Sequence, residues 1–219
     1  MEKNSVGKKV LKAIFIVIAL LITVLAIHTI RNYLIITNMQ KRVSQYTNST
    51  NYHLSINTNE NNGTIMKLEY YKKDNKEVVF IERKANEETT KLSIYNNGER
   101  TDLFAETKDS KTAQLNTSAL MSINIYNLLE TDNNWQTLLG SLCSKIRSKE
   151  YNGKKCYSIS GFMSSTNLNE TGEVTYIEKE TGLPIRTNVS GIISERSYEF
   201  DNVNDSIFVE PDISQYTLK

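Results

Sequence analysis

Few residues in this sequence are of the types that carry out catalysis. The chain has two histidines, of which His28 lies in a long apolar run and His53 stands alone at the start of a strand-like segment. A metal site normally needs three or four His, Cys or carboxylate ligands close together, and the spacing shows no such cluster. We therefore expect His53 to have a structural role, and we expect no metal and no cofactor.

The remaining candidates for chemistry are paired carboxylates, Glu87-Glu88 and Glu178 with Glu180. Both pairs occur in polar, turn-like stretches, which is typical of solvated surface rather than of a general acid and base held in a cleft. The motifs of hydrolases, zinc proteases and phosphate-binding loops do not occur. The sequence therefore favours a protein that is not an enzyme.

The two cysteines, Cys143 and Cys156, leave two alternatives open. A disulfide between them would add roughly 3 kcal/mol by closing a loop. However, a two-residue turn at Asn152-Gly153 pairs Cys156 with Lys149, and a straight strand would carry Cys143 about 20 Å away. A disulfide requires the chain to fold back before Ser148; otherwise both thiols are free and buried. No neighbouring base predicts a catalytic thiol.

The elements that must position these residues are mostly short strands. Turn sequences such as Asn62-Gly63 and Asn96-Asn97-Gly98 separate them, which is typical of an antiparallel meander. The predicted strands of this first block are Tyr52–Asn57, Thr64–Lys72, Glu77–Arg83, Thr89–Tyr95 and Leu103–Glu106.

A change in pattern at Ser118 predicts a helical insert. Ala119–Glu130 is expected to form a short helix, and a second helix, capped by Thr131 or Asp132, is expected to run through Trp135 to Leu142. Tyr126 and Trp135 are either core residues or anchors for a partner, because large aromatic side chains serve both purposes.

Strands resume after the insert, and Asn152-Gly153 is the strongest hairpin signal in the chain. The predicted strands of this second block are Ser148–Tyr151, Lys154–Ser160, Gly172–Glu178, Ile185–Ser190 and Glu195–Val203. Two strand blocks around a helical insert predict an α+β domain in which short helices cover one face of an antiparallel sheet.

Alternation along the first block places a set of apolar side chains on one strand face. This face could line a lipid-binding cavity, or it could form a filled core beneath the helices. The residues are Met66, Leu68, Tyr70, Val79, Ile81, Leu92 and Ile94.

The N-terminus predicts one transmembrane helix. The segment 13–30 contains no Asp, Glu, Lys or Arg, and at about 1.5 Å per residue it just spans a hydrocarbon core of roughly 30 Å. Lysines dominate residues 1–12, and this excess predicts a cytoplasmic N-terminus. The expected organisation is a cytoplasmic tail (1–12), a transmembrane helix (13–30), a stalk or linker (31–49) and an extracytoplasmic domain (50–219), in a single-pass protein of the cell membrane. The polar stretch 38–50 is either part of this stalk or an entering helical turn.

A cleaved signal peptide is the alternative for this segment. Val24-x-Ala26 offers small residues for cleavage, although the apolar run continues through Ile30. A lipid-modified N-terminus is excluded, because no cysteine occurs before Cys143. Past the N-terminal lysines, basic and acidic residues nearly balance, so a nucleic-acid binder is not expected.

The C-terminal third contains a run from Tyr176 to Arg186 (YIEKETGLPIR), then a strand with Tyr198-x-Phe200, then Phe208-x-x-Pro211. These residues resemble the LolA/LolB-like superfamily of envelope lipoprotein carriers. The resemblance implies a strongly curved antiparallel sheet, an incomplete barrel whose apolar concave side is covered by helices.

Within that superfamily, the anchored, Asn- and Lys-rich chain resembles the clostridial spore-germination lipoproteins of the GerS type, although it lacks their acylated cysteine. That resemblance implies a non-catalytic envelope module with a protein partner, namely a peptidoglycan amidase of the spore cortex. The alternative is a lipid or lipoprotein carrier with an apolar cavity.

Overall fold

The computed structural model describes residues 3–46, 48–86, 88–117, 134–161 and 174–219. In these ranges the chain forms a long N-terminal helix, a second short helix and an open, curved, twelve-stranded sheet. The predicted α+β class is confirmed. The helix predicted at 119–130 lies outside the described residues, as do Tyr126, Glu87 and both proposed caps of the second helix.

The first strand block matches the predicted meander closely, because polar and apolar residues alternate and tight turns separate the strands. One further strand, β6, was not predicted, because its four residues carry only one buried apolar side chain, Ala113. The strands are β1 (Asn51–Asn59), β2 (Ile65–Lys73), β3 (Lys76–Ala85), β4 (Glu88–Asn96), β5 (Thr101–Glu106) and β6 (Lys111–Gln114).

The second block begins with the predicted second helix. Asn152 and Gly153 both have positive φ, 49° and 76°, as a two-residue hairpin turn of type I′ requires. The turn pairs Lys149 with Cys156, as predicted. The elements are α2 (Asn134–Cys143), β7 (Lys145–Tyr151), β8 (Lys154–Ser160), β9 (Val174–Glu178), β10 (Pro184–Val189) and β11 (Ile192–Phe200).

The two blocks join at the centre of one sheet, because the last strand of the second block pairs with the first strand of the chain. Leu54 of β1 lies opposite Tyr198 of β11. The strand order is β12-β6-β5-β4-β3-β2-β1-β11-β10-β9-β8-β7, where β12 is a short strand at Thr217–Leu218 parallel to β6. The buried apolar residues of this sheet form two separate clusters, one on each face, and each is shared by several strands.

Helix α1 (Lys3–Val43) is 41 residues long and has two parts. Residues 9–27 are all exposed, and the most apolar window has a mean hydropathy of 3.0, so the helix is long and apolar enough to cross a membrane. Both an anchor and a signal sequence have this character. The predicted location in the cell membrane and the predicted orientation remain predictions.

The second part of α1 differs from the stalk expected at 31–49, because it is helical as far as Val43 and packs on the sheet. Asn32, Ile36, Met39 and Val43 are buried and recur at the spacing of one helix face. Polar neighbours in the sequence conceal this stripe, which explains why the segment had the composition of a stalk.

The two faces of the sheet are covered differently. We call the face that carries α1 the inner face and the opposite one the outer face. The C-terminal residues, which include 3₁₀ turns at Asp205–Phe208 and Ile213–Gln215, pack on the outer face of the first block. The outer face holds a separate aromatic cluster of Val78, Tyr95, Phe104 and Ala113, with Phe80, Phe208 and Tyr216 packed against it.

Candidate functional site

The seven residues predicted to line a cavity share the inner face of β2, β3 and β4. Strand pairing arranges them as two cross-strand rows and one outlying residue, namely Tyr70–Val79–Ile94, Leu68–Ile81–Leu92, and Met66. Their common face follows directly from the two-residue period of a strand. Their role as a ligand-binding surface remains a prediction.

Burial falls from one row to the next. Tyr70, Val79 and Ile94 are 1%, 3% and 5% exposed. In the second row Ile81 and Leu92 are only half-buried. The first row is therefore part of a filled core, whereas the second row reaches towards the surface.

The inner face extends well beyond the predicted residues. Leu54 of β1 lies opposite Tyr70, and Tyr198 of β11 continues the same row. The second block adds further members of the same apolar cluster, namely Ile146, Ile159, Ile177 and Leu183. Alternation in β1 and β11 could have identified Leu54 and Tyr198 from the sequence.

Helix α1 occupies part of this inner face. Ile36, Met39 and Val43 belong to the same buried cluster as the Tyr70 row. Beyond the helix end, the Tyr46 ring stacks on Phe200 with centroids 4.5 Å apart. The helix that carries the apolar N-terminal span is thus also a core element of the domain.

Polar contacts fix the point where α1 enters the domain. Asn32 is fully buried, and its Nδ2 donates to the main-chain oxygens of Ser141 and Ser144 at 3.0 and 2.8 Å. His28 Nε2 donates to the Ser144 oxygen at 3.1 Å, and Arg31 Nη1 donates to the Ile146 oxygen at 3.4 Å. The bonds from Asn32 and His28 satisfy carbonyls at and just after the C-terminal end of α2, where no helical donor is available, and the bond from Arg31 reaches the following strand β7.

The half-buried end of the inner face carries a cation. Arg196 lies opposite Ile56 in the register and alternates in phase with Tyr198. Its Nε is buried and has no hydrogen-bond partner among the described residues. Burial raises the pKa of Tyr198 to about 12, and its hydroxyl donates to the Pro184 oxygen at 2.8 Å. A guanidinium beside half-buried apolar rows is chemically suited to an anionic amphiphile.

The predicted structural role of His53 agrees with its surroundings on the outer face. Its Nε2 lies 2.6 Å from Glu69 Oε2, and its ring stacks on Tyr71 with centroids 4.2 Å apart. Ser55 donates to Glu69 at 3.1 Å rather than to the imidazole. The serine is therefore not activated by His53 as a nucleophile would be.

Both cysteines are free. Cys156 is buried and Cys143 is exposed, so the expectation of two buried thiols is correct for only one of them. Lys145 pairs with Ser160, which places Cys143 beyond that end of the hairpin while Cys156 lies four residues inside it, about 13 Å along the strand. The alternative with a disulfide is not the arrangement in this structure.

The structure also places three further candidates from the sequence. Trp135 lies on α2 and is 61% exposed, so it is not a core residue. Glu178, expected in a solvated turn, is half-buried; it accepts a hydrogen bond from Thr181 Oγ1 at 2.8 Å and pairs with Lys154 at 2.9 Å. Glu180 is exposed, as expected. Among the described residues no group of three or more His, Cys, Asp or Glu side chains could hold a metal ion.

No protein-family model matches the sequence, and no curated protein matches it. Solved structures do match. One is an uncharacterized conserved protein from Thermus thermophilus, with 10% identity, a TM-score of 0.45, and coverage of 84% of this chain and 98% of that chain.

Two other similar structures are a LolA superfamily protein from Nitrosomonas europaea and MucB in complex with MucA(peri). The first has 10% identity and a TM-score of 0.26, over 80% of this chain and 97% of that chain. The second has 9% identity and a TM-score of 0.36, over 78% of this chain and 57% of the MucB chain. TM-scores this low do not establish a family.

Proposed function

We propose that this chain is a membrane-anchored, extracytoplasmic, non-catalytic module that binds a protein partner in the cell envelope. The seating of α1 supports the proposal most directly. Ile36, Met39 and Val43 fill part of the inner face, the surface on which a carrier of this architecture would hold lipid. Removing that helix segment to admit a ligand would expose several buried apolar side chains, each worth about 1.5–3 kcal/mol.

The anchor and its orientation are part of the same proposal. The exposed apolar surface of residues 10–27 is unsuited to water, and the lysines that precede it favour a cytoplasmic N-terminus. A permanently anchored chain cannot shuttle between membranes, which favours a local binding role. The narrower proposal, that the partner is a peptidoglycan amidase acting in spore germination, rests on the sequence resemblance alone.

Photo-crosslinking of the full chain in its native membrane tests the proposal. The photoreactive amino acid replaces Leu92 on the inner face in one variant and its exposed neighbour Lys91 in the other; further exposed positions are Lys145 and Lys154. A protein adduct from an exposed position, without a lipid adduct from position 92, supports the proposal. A lipid adduct from position 92, with no protein adduct elsewhere, contradicts it.

A lipid-binding role is the second candidate, and the half-buried end of the inner face favours it. There Arg196, with a buried Nε that lacks a partner among the described residues, lies opposite Ile56, at the end of the cross-strand row that continues through Leu68 to Ile81 and Leu92. Native mass spectrometry of the full chain, released from mild detergent, tests this role. A stoichiometric lipid mass that Ile81→Gln abolishes, and that the matched surface change Lys91→Gln leaves intact, would favour it.

A further inference from the structure

Helix α2 turns its polar side towards the protein and its apolar side outwards, the reverse of an ordinary surface helix. The side that faces the protein consists of small or polar residues, with Thr137 and Ser141 only 4% and 0% exposed and Gly140 buried between them. The side that faces away is apolar. We call Trp135, Leu138, Leu139 and Leu142 the α2 patch; they are 61%, 38%, 37% and 36% exposed.

This arrangement is unfavourable in water. A surface helix of a soluble domain normally turns its leucines towards the core and its polar residues towards solvent. Here the hydrogen bonds from Asn32 and His28 to the end of α2 hold the helix with its small, polar side inward. Small residues at a helix contact are typical of helices that pack against one another in membranes.

The position of α2 along α1 indicates what covers the patch. The two helices meet at His28 and Asn32, where the charge-free run of α1 ends. Counting about 30 Å back from Ile30 at 1.5 Å per residue reaches Leu11, so this contact marks one boundary of the hydrocarbon core. Leu21 and Leu25 are 64% and 51% exposed, so α2 does not run down along the membrane span.

We propose that the α2 patch lies in the interfacial region of the bilayer that α1 spans, so that the protein contacts the membrane through two elements. The inference rests on the proposed membrane anchoring. Tryptophan is enriched at this depth because its ring is apolar and its N–H is polar. Exposed basic residues at the same level, Arg31, Lys145 and Arg147, suit anionic lipid head groups.

The test uses the full chain reconstituted in vesicles of phosphatidylcholine and phosphatidylglycerol. Trp135 is the only tryptophan in the chain, so its fluorescence reports on the patch alone. Flotation of the vesicles first establishes that the chain is anchored. Trp135 should then be quenched by lipids spin-labelled near the head group and be several-fold less sensitive to aqueous iodide than free tryptophan.

Matched variants show whether the patch is responsible. The double change Leu138→Gln with Leu142→Gln should restore iodide quenching, whereas Val209→Gln, which alters an apolar residue that is 71% exposed and lies outside the α2 patch, should not.

Three outcomes overturn the inference, and they are distinguishable. If the chain does not float, the anchoring fails and the inference fails with it. If it floats but iodide reaches Trp135 freely, only the inference fails. If Trp135 is shielded from iodide and from the spin-labelled lipids alike, protein covers the patch, for example a second copy of the chain.

Discussion

Gly182, in the turn between β9 and β10, lies against the main-chain oxygen of Met39 in α1. A Cβ atom at Gly182 would come within 2.5 Å of that oxygen and 3.0 Å of Val43 Cγ2. Helix α1 therefore leaves no room for a side chain at this position of the turn. Gly153, in the turn between β7 and β8, has nearly the same φ, 76° against 75°, but no atom within 4 Å of its Cβ position.

The two glycines make a matched pair for measuring how tightly α1 is seated. Gly153→Ala should cost about 1–2 kcal/mol, the penalty for a left-handed alanine. Gly182→Ala should lower the free energy of unfolding further, by about 1–3 kcal/mol, because the helix must shift. Denaturant unfolding of both variants in detergent measures the difference. Equal losses would mean that α1 does not press on this turn.

Asn32 tests the polar junction between α1 and α2. Asn32→Ala leaves the carbonyls of Ser141 and Ser144 without these donors, and should lower the free energy of unfolding by about 1–3 kcal/mol. Leu34→Ala, at a position 61% exposed, serves as the control and should stay within about 0.5 kcal/mol. If the two variants are equally stable, the junction contributes little.

The two thiols should react at very different rates. Burial, reinforced by the Glu178 carboxylate, raises the pKa of Cys156, whereas Cys143 is exposed. A maleimide reagent should therefore modify the native protein once, at Cys143, and twice after unfolding. Peptide mapping identifies the site. Resistance of both cysteines until a reductant is added would indicate a disulfide and contradict the structure.

Glu69 should make stability depend on pH. Burial pushes its pKa upward, but hydrogen bonds from Lys67, His53 and Ser55 outweigh burial, and the pKa lies below its ordinary value. The ionised carboxylate therefore stabilises the fold above its unfolded pKa of about 4.3, and this contribution disappears as the pH falls through the lower folded value.

The measurement is the difference in unfolding free energy between the wild type and Glu69→Gln. It should be larger at about pH 6 than at about pH 3. Glu88→Gln, which removes an exposed carboxylate at the start of β4, controls for the loss of one negative charge. A difference that grows on acidification would show that the hydrogen bonds at Glu69 do not stabilise its charged form.

The strands were predictable because their signals are local. Alternation placed Leu68 and Tyr70 on one face, and Asn152-Gly153 fixed the register between Lys149 and Cys156. The start of β7 was missed because Lys145 and Arg147 flank the single buried residue Ile146. Local patterns thus identify most of the sheet and one wall of the candidate site.

What covers the inner face was not predictable in the same way. Periodicity shows which side of a strand is apolar, but the contact between Met39 and Gly182 joins residues far apart in sequence. The polar stretch after residue 37 concealed the stripe of Ile36, Met39 and Val43. The inward-facing polar side of α2 likewise depends on hydrogen bonds from Asn32, which is distant in sequence, and not on the composition of α2.

Helix α1 runs without a break from its exposed apolar part into the core of the domain. If that part spans the membrane, the domain has no tether on which to swing. Its distance from the membrane and its orientation towards the lipid are then both fixed by the helix. The protein partner proposed above would then have to bind close to the membrane surface.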